Sequence, residues 1–146
     1  MTRSAKQAGF SLMELLVGVG MLSVVTAAAV PVTGDILGMY QLRASTDQLA
    51  FEISRARMQA IAQNVFVRVR IDERGYVRER STDGVSFVAD DAVVSLPVGM
   101  KASVSGGGSP TFSRSGLAPT STTITLAKGS ASKTIWVNIV GRVNAS

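Results

Sequence analysis

The 146-residue chain contains no cysteine and no histidine. Without cysteine there is no disulfide, no iron–sulfur cluster, no thiol nucleophile and no ordinary zinc site. Without histidine the commonest general base is missing, and with it the Ser-His-Asp and Cys-His arrangements of nucleophilic catalysis. A metal site would have to be built from carboxylates alone, and no Asp/Glu/Asn-rich loop of the calcium type occurs. The hydroxyls of residues 113–125 have no base partner. The glycine run 106–108 is followed by no lysine at phosphate-loop spacing and opens no helix. Catalysis is therefore not expected, and no catalytic residue, cofactor or metal is assigned. Charge is scarce as well, at 17% of residues against 46% hydrophobic, which is too apolar a balance for a disordered chain. The length suits one domain.

The apolar excess is concentrated at the start. Residues 1–9 carry Arg3 and Lys6 and no acid, and residues 10–30 then run with a single charge, Glu14. A helix of that length spans roughly 30 Å, the hydrocarbon thickness of a bilayer. Basic residues before the run predict a cytoplasmic N-terminus, with the rest of the chain across the membrane. A secretory signal cut after Ala29 and a plain single-pass anchor compete with a more specific reading. Both leave Glu14 unexplained, because a carboxylate inside a membrane segment costs about 2.5–3.5 kcal/mol on insertion scales. The segment offers no Lys or Arg to pair with it. The one cation that can be created nearby is the amine exposed by cutting the chain before Phe10.

The stretch Gly9-Phe10-Ser11-Leu12-Met13-Glu14-Leu15-Leu16 resembles the class III signal of type IV prepilins and of type II secretion pseudopilins. The resemblance implies cleavage after Gly9 by the prepilin peptidase and N-methylation of Phe10. It also implies pairing of Glu14 with the Phe10 ammonium of a neighbouring subunit, since each charge is costly alone in a low-dielectric core and tolerable when paired. Pro31 matches a helix-kinking proline of these proteins, and it reads equally as a boundary between the membrane helix and the periplasmic part.

Beyond Pro31 a helical pattern resumes. Leu42, Leu49, Ile53, Ala56 and Ala60 recur on one face, with Arg43, Asp47, Glu52, Arg55 and Arg57 off it, and the helix is expected to fade at Gln63–Asn64. From Val65 the period becomes two: Val65, Val67, Val69 and Ile71 on one face, Phe66, Arg68 and Arg70 on the other. Further strands are expected over 76–80, 85–88, 93–98, 100–104, 111–113, 122–126 and 134–140, with a flexible loop at 105–110. Helix first and strands after, with no helix-length crossovers, predicts an α+β fold with antiparallel sheet. The expected organisation is a leader (1–9), a transmembrane and filament-core helix (10–31), the periplasmic half of that helix (32–64) and a β-rich globular domain (65–146).

Two registers are open for the first hairpin. A type I turn with a bulge at Gly75 opposes Arg70 to Arg78 and Arg68 to Arg80, putting four arginines on one face as a candidate polyanion surface. A two-residue turn at Glu73-Arg74 instead sets Arg68 opposite Glu79 and changes the face that carries Arg78 and Arg80. The plain reading of the charges is a solvated sheet face. Trp136 is expected as packing on a sheet, in preference to a stacking platform.

Phe112-Ser-Arg-Ser-Gly116, Thr123-Ile-Thr-Leu126, Lys133-Thr-Ile-Trp-Val137 and Gly141-Arg142-Val143 are similar to the GspH/FimT family of minor pseudopilins and pilins, as are Ala56-Arg57, Ala60-Ile61 and Asn64. The resemblance implies a type IV pilin-like fold, a long N-terminal helix packed on antiparallel sheet. It implies a bacterial inner-membrane protein whose partners are the prepilin peptidase, other pseudopilins or pilins and, at a filament tip, exported substrate. Some relatives capture DNA through a basic tail. Arg142 stands at that position without a second basic residue, and loss of the leader leaves thirteen basic residues against ten acidic, so DNA is the alternative partner and not the favoured one.

Overall fold

In the computed structural model residues 11–146 are described, the side chains of residues 27–35 excepted. Gly9 and Phe10 lie outside the described residues. The elements are α1 (Leu12–Gln63), β1 (Phe66–Asp72), β2 (Gly75–Ser81), β3 (Val88–Ala89), β4 (Val94–Ser95), β5 (Met100–Gly106), β6 (Thr111–Phe112), β7 (Thr122–Lys128), β8 (Ala131–Val137) and β9 (Val143–Ala145). The chain divides into two compact units, one ending at Leu37 and one comprising Gly38–Ser146.

In the first unit every described side chain from Ser11 to Thr26 is exposed, including Leu12, Met13, Leu22, Val24 and Val25. A helix apolar all round has no core of its own to turn toward. Among the described residues no helix is long and apolar enough to cross a membrane, and the described side chains of this run stop at Thr26. The backbone of Pro31 is helical, within α1.

In the second unit the expected stripe is the buried face of α1. Leu49, Ile53, Ala56 and Ala60 are fully buried, and Leu42 nearly so. Each large aliphatic side chain removed from water contributes roughly 1.5–3 kcal/mol. Thr46 is buried among them, its hydroxyl donating to the Leu42 carbonyl at 2.7 Å. The helix stops where Asn64 takes a left-handed φ of 54° and the Val65 amide donates to the Ala60 carbonyl at 3.2 Å. That geometry is a Schellman stop, with asparagine at the position usually given to glycine.

Two antiparallel sheets complete the core. One orders its strands β3-β2-β1-β6, with β4 also on β2; the other orders them β5-β7-β8-β9. Val67, Val69, Phe112, Ile124, Leu126, Ile135 and Val137 point inward onto the helix residues, making a single cluster. The sheets meet at the β1–β2 turn, where the Glu73 carbonyl accepts from the Ala102 amide of β5 at 2.9 Å; within the first sheet the Arg74 carbonyl accepts from the Leu96 amide, just past β4, at 2.8 Å.

Several strand expectations change. Of residues 85–88 and 93–98 only Val88–Ala89 and Val94–Ser95 pair, and Val85 and Val98 are exposed. The strand expected over 134–140 starts earlier, at Ala131, and ends at Val137. It ends there because the Asn138 side chain accepts from the Arg142 amide at 2.8 Å and turns the chain, leaving Ile139 and Val140 exposed in the turn. The loop expected to be flexible at 105–110 is fastened to both sheets. Gly107 donates to the Ser121 carbonyl, Ser109 Oγ accepts from the Ile71 amide, and the Pro110 carbonyl accepts from Val69.

Candidate functional site

Ser11 stands at the start of α1, and its carbonyl accepts from the amides of Glu14 (2.9 Å) and Leu15 (3.2 Å). Ser11-Leu12-Met13-Glu14 has capping-box spacing, yet neither reciprocal side-chain bond of that motif forms among the described residues. An acid in the first turn is favoured by the helix dipole, but by no more than about 1 kcal/mol at an exposed site. The Glu14 carboxylate is exposed, has no ion pair among the described residues, and borders a shallow groove with Leu15, Gly18, Val19 and Leu22. This lone carboxylate on an apolar surface has no partner among the described residues.

The arginines do not gather. The two-residue turn is the register formed: Asp72 opposes Gly75, Arg68 opposes Glu79, and Val69 opposes Arg78. Gly75 has no positive φ, so the bulge is absent. The glycine is needed for another reason, because a Cβ there would sit 2.7 Å from the Val94 carbonyl oxygen of the neighbouring strand. This register puts opposite charges across the ladder where the other would have opposed like ones.

Arg68 and Arg70 therefore share one face with Glu79. Arg68 donates to Glu79 from Nε (2.9 Å) and Nη2 (2.6 Å), and Arg70 from Nε (2.8 Å). Burial raises the Glu79 pKa, but the hydrogen bonds and charges of Arg68 and Arg70 outweigh it and hold the carboxyl below its usual range. Arg78 and Arg80 lie on the opposite face. Arg78 is buried and bridges helix to sheet, donating to Glu52 at 3.2 Å and to Asp91. Asp90 is shared by Arg80 (3.2 Å) and the amide of Gln59 (2.7 Å). Arg78 Nε, 3.8 Å from Asp90, and Tyr76 Oη have no hydrogen-bond partner among the described residues. Burial, with the nearby Glu52 charge, pushes the Tyr76 phenol up. The single polyanion surface of the bulged register is thus not formed: its charge is divided between two faces and largely paired. Arg142 is exposed and distant in sequence from all of these, and no carboxylate pairs with it among the described residues.

A different convergence escaped the sequence. Arg57 Nε, near the end of α1, donates to the Gly116 carbonyl at 2.9 Å. Gly116 has φ 76° and Gly141 φ 77°. A Cβ on Gly116 would meet Ile61 Cδ1 at 2.6 Å, and one on Gly141 would meet the Gly116 carbonyl oxygen at 2.3 Å and Arg57 Nε at 2.6 Å. The Ala118 amide donates to the Ile139 carbonyl at 3.0 Å and closes the contact. Three short stretches of resemblance, at Arg57, Gly116 and Gly141, are therefore one joint that fastens two loops to the helix. In the sequence Gly116 follows Ser113-Arg114-Ser115 and Gly141 follows Ile139-Val140, and neither setting says what the glycine faces.

The prokaryotic N-terminal methylation motif matches residues 4–30. No curated protein matches the chain by sequence. Among solved structures the chain is similar to the minor pseudopilin EpsH of the type 2 secretion system of Vibrio cholerae. The TM-score is 0.63 at 13% identity, over 73% of this chain and 96% of that one. It is also similar to the type IV minor pilin FimU of Pseudomonas aeruginosa strain PAO1, with a TM-score of 0.61 at 14% identity, over 74% of this chain and 90% of that one. At such identities the likeness is one of fold. The chain thus joins an N-terminal methylation motif of the prepilin kind to a type IV pilin-like fold, an N-terminal helix packed on antiparallel sheet.

Proposed function

We propose that this protein is a minor pseudopilin- or pilin-type structural subunit of a type II secretion pseudopilus or a type IV pilus, placed at or near its tip. It is made as a single-pass inner-membrane precursor, N-terminus cytoplasmic, and the prepilin peptidase cuts it between Gly9 and Phe10. The new Phe10 amine is methylated, and the apolar helix, kinked at Pro31, then packs with the helices of other subunits while the sheets face the periplasm. The observation that carries the reading is the methylation motif at the head of a helix that runs on into a pilin-type globular unit.

The unpartnered Glu14 carboxylate supports a pairing between subunits, because the motif supplies the missing cation only after cleavage. Polyanion capture has less support, since Glu79, Asp72, Glu52, Asp90 and Asp91 already engage the hairpin arginines. The test is the intact mass and N-terminal sequence of the protein extracted from membranes. N-methylphenylalanine at position 10 is expected. A chain that still begins at Met1, or begins at Val30, overturns the proposal.

A further inference from the structure

The outer face of the β5-β7-β8-β9 sheet is unlike the rest of the second unit. The four strands contain no Asp or Glu. Ala102, Ile124, Leu126, Ile135 and Val137 point inward, so the alternate residues point out. Two cross-strand rows result. Ser105, Thr123, Trp136 and Asn144 oppose one another in turn, and beside them Ser103, Thr125 and Thr134 do the same. With neighbouring strands about 4.8 Å apart, this is a field of hydroxyls and one amide around one indole.

The indole is the anomaly. Trp136 is 53% exposed among polar neighbours, and it is the sole tryptophan of the chain. Among the described residues no side-chain hydrogen bond engages Ser103, Thr123, Thr125, Thr134, Trp136 or Asn144; Ser105 alone bonds, to the Thr123 carbonyl at 3.4 Å. Charge narrows the occupant further. Within the four strands Lys101 is the one cation on this face, paired with Glu73 at 2.6 Å, while Lys133 stands on the other face beside Leu126 and the exposed Arg142 borders the field one step beyond Asn144. One arginine at the edge is too little charge to hold a polyanion, whose binding needs several phosphates neutralised. An apolar protein surface would bury a field of hydroxyls without satisfying them.

The match is a neutral, hydroxyl-rich polymer. The C–H face of a pyranose ring stacks on an indole, while its equatorial hydroxyls meet donors and acceptors at strand spacing. We propose that the Trp136 face binds an extended neutral polysaccharide, with Trp136 stacking on one ring and Thr123, Thr125, Thr134 and Asn144 bonding its neighbours. The site does not depend on filament assembly.

The experiment uses the full chain in a detergent without a sugar headgroup. Cellohexaose and chitohexaose are titrated against the fluorescence of the sole tryptophan, and retention is measured on cellulose and chitin beads. A saturable blue shift is expected, with retention that holds in high salt. Trp136→Ala is expected to weaken retention roughly two- to tenfold, the weight of one aromatic stacking contact. Thr125→Val keeps the reporter and the fold and is expected to weaken the titration severalfold. No emission change with either oligosaccharide, equal retention after Trp136→Ala, or elution by salt would each overturn the proposal.

Discussion

Glu14 is one carboxylate on an apolar surface, and its replacement separates processing from assembly. On the proposed processing, Glu14→Val is expected to be cleaved and held in the membrane as usual, because the cut between Gly9 and Phe10 does not involve Glu14. The variant is then expected to enter filaments poorly, having nothing to offer the neighbour's amine; immunoblots of membrane and sheared-filament fractions measure both. Arg78 is the corresponding residue of the second unit, a buried cation held by Glu52 and Asp91. Arg78→Ala leaves those carboxylates facing each other and is expected to lower stability by about 3–5 kcal/mol, whereas Arg78→Met is expected to do less harm because it fills the volume. Gly141→Ala meets both a left-handed backbone and the Arg57 side chain, and a loss of roughly 2–4 kcal/mol is expected. Thermal and urea unfolding followed by Trp136 emission measures both substitutions.

At the scale of elements, the first hairpin carries a built-in response to acid. Glu79 is held ionised by Arg68 and Arg70, so its folded pKa lies below its unfolded value. The stability it contributes is complete above the unfolded value and is lost as pH falls through the depressed folded one. Melting temperatures taken across the acid range are expected to fall more steeply for the wild type than for Glu79→Gln, the variant starting lower at neutral pH. Helix α1 has a second apolar face as well. Tyr40, Phe51 and Met58 are exposed and lie opposite Leu49 and Ile53 at 100° per residue. Phe51→Glu is expected to leave the melting temperature nearly unchanged and to reduce recovery in the filament fraction, if that face packs on neighbours as the proposed function requires.

For the molecule as a whole, legibility in the sequence depends on what each signal encodes. The inward stripe from Leu42 to Ala60 and the alternation from Val65 to Ile71 are periodicities, and periodicity fixes which side is buried. The stop at Asn64 was legible because few residues tolerate a left-handed φ. The hairpin register was not, because Gly75 suits a bulge as well as it suits the close approach of Val94, and only the third strand distinguishes them. Residues 139 and 140 looked like strand because Ile and Val favour it; the Asn138 side chain overrides that preference locally. The joint of Arg57, Gly116 and Gly141 was illegible because its members are far apart in the chain and each is ordinary alone. Glu14 is conspicuous by composition alone, a single charge amid apolar residues.

The seam between the two sheets has its own consequence. At the Glu73-Arg74 turn the group that reaches across is the Glu73 carbonyl oxygen, accepting from Ala102 of β5, while the side-chain contact, Glu73 with Lys101, is exposed and screened. Main-chain acceptors survive almost any change of side chain. Codons 73 and 74 are therefore free to drift, even to reversed charge, without the sheets parting. Proline at 102, which deletes the donor, would unpick the same seam from its far side.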